Sequence, residues 1–113
     1  MEDRRRREEY RTSTRFRVHF RFTFFAGATF PLEGMGTVID LSRGGCQIET
    51  SVFIPGAVLT DLRISVPDMG EPLMIERAVV RWRKGRIYGV RFTGVQPAEQ
   101  TRLHQVLACA AKS

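Results

Sequence analysis

Phe16-Arg17-Val18-His19-Phe20-Arg21-Phe22-Thr23-Phe24 alternates apolar and polar side chains without a break. Successive side chains of a strand point to opposite faces. The period of two therefore predicts a strand opening at Arg15, with Val18 and the phenylalanines in a core and Arg17, His19, Arg21 and Thr23 toward solvent. The Phe stripe is read as core, and Trp82 further on as a barrel-packing residue whose N–H reaches solvent.

Working outward, Gly27 to Gly36, with Pro31, Gly34 and Gly36, reads as a connection, and Thr37-Val38-Ile39 begins a second strand. Asp40 to Gly45 is a turn, and Cys46 to Thr50 leads out as a third strand. Pro55-Gly56 breaks the chain before Ala57 to Val66, whose apolar positions need a bulge near Thr60-Asp61 to keep one register. Pro67 to Gly70 is a turn, Leu73 to Arg83 a long strand, Lys84-Gly85 a hairpin, and Ile87 to Phe92 the partner strand. From Pro97 the period becomes helical, with Leu103, Val106, Leu107 and Ala110 on one face and Pro97 suited to the first turn. The expected fold is all-β with a C-terminal helix: a six-stranded antiparallel barrel, strands about 15–93, helix about 97–111.

The length of 113 residues allows one domain, taken as 11–113, behind an arm at 1–10. That arm, MEDRRRREEY, has mixed charge and no apolar period, so it is expected to be disordered when free. Residues 1–21 carry eight Arg against four acids, +4 of the net charge of +6, and only Lys84 and Lys112 are lysines. Such an arginine bias suits planar phosphate recognition, and a GC-rich coding sequence produces it equally well. No apolar run approaches the ~20 residues of a membrane span, and no signal peptide is seen, so a cytoplasmic protein is expected. Cys46 and Cys109 lack metal-ligand spacing and are read as unpaired core residues; His19 and His104 are too isolated to ligate a metal. Without a nucleophile elbow, HExxH, Walker loop or carboxylate pair, no catalytic residue is assigned and no enzyme or cofactor is expected.

Two short motifs flank the opening strand and its neighbour. Arg11-Thr12-Ser13-Thr14-Arg15 reads RxxxR, and Asp40-Leu41-Ser42-Arg43-Gly44-Gly45 reads DxSxxG. Two guanidinium forks can each make charge-assisted hydrogen bonds to phosphate oxygens, while a carboxylate and a hydroxyl beside a glycine turn can read the edge of a base. Arg7 to Arg11 is a second RxxxR frame. The Arg11/Arg15 frame is preferred because Arg15 abuts the strand, whereas Glu8 and Glu9 would repel phosphates in the other.

In this order, and together with "LSRGGC", a strand ending "VVRW", the segment "GVRF" and a terminal amphipathic helix, the motifs resemble the PilZ family of cyclic di-GMP receptors from Arg11 almost to the end. The resemblance implies a ligand site of Arg11, Arg15, Asp40, Ser42 and Gly45, with Arg7 and Arg43 as additional candidates. The arginines would bind phosphate and guanine, Asp40 and Ser42 would read guanine, and Gly45 would let the turn pass close to the ligand. It further implies a single-domain signalling adaptor, monomeric or a ligand-linked dimer, whose arm orders on the ligand and whose altered surface is read by an unidentified effector protein. Two alternatives are an OB-like single-stranded nucleic-acid binder, for which aromatics should lie on the outer face, and a PilZ-like protein scaffold that binds no nucleotide. No specific nucleic acid is expected.

Overall fold

A computed structural model describes residues 14–27, 32–54 and 56–112. Six strands, β1 (Phe16–Ala26), β2 (Leu32–Leu41), β3 (Gly45–Glu49), β4 (Val58–Ser65), β5 (Leu73–Lys84) and β6 (Ile87–Gly94), precede the helix α1 (Pro97–Ala111). Every pairing is antiparallel, and the sheet closes in the order β1, β2, β3, β6, β5, β4, with β4 returning to β1. Closure leaves no free strand edge, which is how a short all-β chain satisfies its backbone.

The alternation in β1 does what its sequence requires. Phe22 and Phe24 are buried with their rings stacked 5.4 Å apart, while Arg17, His19 and Arg21 are exposed. Phe16, Val18 and Phe20, nearer the start of the strand, are half-buried, packed against the edge of the core. Leu41, Ile48, Leu59, Leu62, Ile64, Leu73 and Ile75 complete the interior, and α1 contributes Leu103, Val106 and Leu107. The helix starts at Pro97 and is fastened by charge: Glu99 Oε1 accepts the Met74 N–H at 2.8 Å, and Arg102 binds both Glu99 oxygens and the Pro72 carbonyl.

Four expectations need correction or sharpening. The Gly-rich stretch before Thr37 is not all connection, because β2 already begins at Leu32. Gly34 pairs with Phe24 and Gly36 with Phe22; a Cβ on Gly34 would enter the Phe24 ring, and one on Gly36 would strike the Glu49 carbonyl oxygen. These glycines mark close approach inside a strand rather than a loop. The bulge near Thr60-Asp61 is present: β1 opposite β4 shifts register between Thr23 and Phe25, and Asp61 has φ 49°. Of the two cysteines only Cys46 is buried; Cys109 is exposed on α1, one position past the buried stripe. Trp82, read as a barrel-packing residue with its N–H toward solvent, packs its indole over Gly89 and is 42% exposed on the outer wall. Among the described residues no helix is long and apolar enough to cross a membrane.

Candidate functional site

Three register breaks shape one patch of the outer wall. They fall in β1 opposite β2 between Arg17 and Phe20, in β2 opposite β3 between Val38 and Asp40, and in β5 opposite β6 between Val80 and Trp82. An extra residue in one strand re-aims the side chains beside it. In β2 this keeps Val38 and Leu41 in the core although they are three residues apart, and it turns Asp40 outward. Arg17 pairs with Asp40, Asp40 with Gln47, Gln47 with Gly89, and Gly89 with Trp82. Directly paired residues share a face, so the carboxylate, the amide and the indole stand in one row on the barrel surface.

Asp40 is held from two sides. Its Oδ1 accepts the Gln47 backbone N–H at 2.9 Å, and its Oδ2 lies 3.6 Å from Arg15 Nη1. The Asp40 side chain is 14% exposed and that of Arg15 is 54% exposed. The carboxylate is thus fixed in direction with acceptor capacity left over, and the guanidinium is only loosely engaged.

The turn that follows is closed by its own bonds. Ser42 Oγ donates to the Gly45 carbonyl at 3.1 Å and accepts the Gly45 N–H at 3.2 Å, while the Ser42 N–H donates to the same carbonyl at 2.8 Å. Phe92 N–H donates to the Gly44 carbonyl at 2.8 Å, tying the turn to β6. Ser42 is only 4% exposed. A Cβ on Gly45 would collide with the Val90 carbonyl oxygen, whereas one on Gly44 would meet open space. The second glycine of the pair is thereby explained by strand contact with β6. Next in the chain, burial and then the Asp40 charge push the Cys46 thiol up, with Arg15 opposing, so Cys46 is a neutral core group and no nucleophile.

Of the residues singled out from sequence, the fold brings Arg15, Asp40, Ser42 and Gly45 together. Arg43 is exposed and lines a polar groove of about 560 Å³ with Gly44, Gln100 and His104, between the turn and α1. Arg7 and Arg11 lie outside the described residues. Gln47 and Trp82 were not among the site residues singled out, and the register sets them in the same row as Asp40. The signal for Trp82 was available: counting back from the two-residue loop Gly85-Arg86 sets it opposite Gly89, where only a missing side chain leaves room for an indole. Among the described residues no group of three or more His, Cys, Asp or Glu could hold a metal ion.

The sequence model of the PilZ domain matches residues 5–109. No curated protein sequence matches the chain. Among solved structures, the fold is similar to "PilZ domain with c-di-GMP of YcgR from Escherichia coli", with TM-score 0.69 at 14% identity over 91% of this chain and 92% of that one. It is similar to the PilZ domain of CeSA from a cellulose-synthesizing bacterium, with TM-score 0.64 at 17% identity over 89% and 100%. It also matches MrkH, described as a c-di-GMP-dependent transcription regulatory factor, with TM-score 0.69 at 16% identity over 89% of this chain. The chain spans about half the length of the MrkH protein, 51%.

Proposed function

The chain belongs to the PilZ domain family, and from that premise we propose that it is a receptor for cyclic di-GMP that works by binding alone. The observation that carries the reading is the placement of Arg15 against Asp40, beside the self-closed turn of Ser42 and Gly45, on the outer wall of the barrel. Guanine offers N1–H and N2–H donors on one edge and O6 and N7 acceptors on another. A carboxylate already oriented by the Gln47 N–H suits the donor edge, and guanidinium forks suit the acceptors and the phosphates.

Binding in this reading is an exchange of partners. Arg15 leaves a 3.6 Å contact with Asp40 for a phosphate or guanine oxygen, and Arg11 joins it as the arm folds onto the barrel. Asp40, freed of Arg15, keeps the Gln47 bond and accepts from the base. The Trp82 indole, lying over Gly89 in the same row, offers a flat apolar face on which a base can stack. Ser42 and Gly45 supply the rigid corner. The buried Phe22 and Phe24 remove the outward aromatic stripe that a single-strand nucleic-acid platform needs. No covalent step occurs, and the ordered arm is the altered surface that a downstream protein in the cytoplasm would read.

Calorimetric titration with cyclic di-GMP tests the reading directly. Saturable binding that cyclic di-AMP reproduces at least about tenfold more weakly is expected, because adenine carries an acceptor at N1 where Asp40 needs a donor. Equal affinity for the two dinucleotides removes the guanine-reading role of Asp40.

A further inference from the structure

At the far end of β3 from the motif turn, three segments are tied together by one buried residue. Thr50 is 4% exposed; its N–H donates to the Arg86 carbonyl at 3.0 Å, its Oγ1 donates to the Met35 carbonyl at 2.7 Å, and Oγ1 accepts the Val52 N–H at 3.1 Å. The knot fixes β2, the β3–β4 connection and the β5–β6 hairpin against one another. What those segments display is unusual for a barrel end. Met35 is 68% exposed and Phe53 is 63% exposed, the largest exposures of any large apolar residue described. Arg81, Arg83, Lys84 and Arg86 are all exposed on or beside the hairpin. The Arg83 guanidinium lies over the Phe53 ring at 5.1 Å and the Tyr88 ring at 5.5 Å, with its Nε–H donating to the Gly85 carbonyl at 3.0 Å. Against these four cations, the register sets Glu49 opposite Ile87 beside the hairpin, and Glu33 lies two residues before Met35 on β2.

We propose that this end of the barrel is a docking surface for an anionic lipid bilayer, with Phe53 and Met35 as apolar anchors and Arg81, Arg83, Lys84 and Arg86 as headgroup contacts. Independent of the cyclic di-GMP reading, it rests on different residues. Charge complementarity selects an anionic occupant, and the inventory selects a membrane over a protein. A protein partner of ordinary affinity covers about 800 Å² per side with matched shape, whereas an interfacial membrane contact needs only a few apolar side chains ringed by Arg and Lys. The stacked pair is arranged for that: a ring sinks to the acyl boundary while the guanidinium across its face stays at phosphate level. Each Lys or Arg near an anionic surface adds to the attraction, which screens with salt.

The test is co-sedimentation of the full chain with phosphatidylglycerol-containing vesicles and with pure phosphatidylcholine vesicles. Binding to the anionic vesicles is expected, and Met35→Ser/Phe53→Ser should weaken it at least about tenfold at unchanged net charge, because the anchoring area is gone. Lys84→Glu/Arg86→Glu should weaken it as much or more. Arg5→Glu/Arg6→Glu, which makes the same charge change on the arm, should cost less than the hairpin reversal. Met35 and Phe53 lie outside the core, so an unchanged melting temperature verifies that these variants are folded. Loss of vesicle binding in the arm variant with none in the Met35/Phe53 variant overturns the proposal in favour of diffuse electrostatic adsorption. A dimer in sedimentation velocity that Phe53→Ser dissolves, with no vesicle binding, overturns it in favour of self-association.

Discussion

The two halves of the candidate site are built to different standards of rigidity. The turn from Asp40 to Gly45 is closed by its own Ser42–Gly45 bonds and tied to β3 and β6 by Gln47 and Phe92, buries Ser42, and presses Gly45 against the β6 backbone. Arg15, in contrast, precedes β1, is half-exposed, and meets Asp40 at a distance where an ion pair is weak. The contrast separates a part made before the ligand arrives from a part that can be recruited by it. Variants in the turn should therefore lose stability and binding together, and variants in the arginine should lose binding alone.

The comparison breaks most readily at Gly45. A methyl group there has nowhere to go but into the Val90 carbonyl, so Gly45→Ala should cost about 3 kcal/mol, near the upper end of overpacking penalties. That corresponds to a fall in Tm of more than ~10 °C for a domain of this size. Gly44→Ala, one residue earlier and facing open space, should leave Tm within about 2 °C. Thermal melts of the pair decide whether the second glycine is structural; similar melts for both would return it to a role at the ligand alone. Ser42→Ala comes next, because it leaves the Gly45 N–H without its acceptor in a buried corner, and about 1–3 kcal/mol is expected. Affinity for cyclic di-GMP should fall in the same variant.

These contrasts also explain how much of the molecule could be read from the chain. The strand order of alternating patterns, the Thr60-Asp61 bulge and the α1 stripe were legible, since each is a local period or a break in one. Gly34 and Gly36 misled because a glycine inside a strand and one in a loop look alike until the partner is known. Here the partners are Phe24 and Phe22, a whole strand away. Cys109 misled for a related reason: an apolar residue is assigned to the core by default, and one residue of helical phase sends it to the surface. For the site, the two motifs and their resemblance to the PilZ family singled out Arg15, Asp40, Ser42 and Gly45. The division of labour among them depends on a bond to Gln47 of β3 and on the close approach of Gly45 to the Val90 carbonyl of β6, which no spacing announces.

The arginine half yields to a different pair of measurements. Arg15→Ala should weaken cyclic di-GMP by about 2 kcal/mol, the worth of a charge-assisted contact. Its effect on the Tm of the ligand-free protein should be small, because an exposed ion pair contributes about 0–1 kcal/mol. A large drop in Tm would mean that Arg15 already belongs to the rigid half. Arg11→Ala should repeat the binding loss. An equal loss in Arg7→Ala would favour the earlier arginine frame, or two bound ligands.

The smallest effect is expected at Trp82, and it is the most discriminating between packing and recognition. The indole covers Gly89 and is otherwise open to solvent, so both a structural lid and a stacking platform fit its position. Trp82→Phe retains an aromatic face over Gly89 while reducing its area, and stability should change by about 0.5 kcal/mol or less, as for exposed substitutions generally. If the face stacks a base, affinity should fall modestly, by about 0.5–1 kcal/mol, and Trp82→Leu should fall further although it covers Gly89 with similar apolar bulk. Quenching of the fluorescence of this single tryptophan on titration with cyclic di-GMP supplies an independent readout in the unmutated chain. A lid that only packs would give equal affinity in all three proteins, and the row from Arg17 to Trp82 would then end functionally at Asp40.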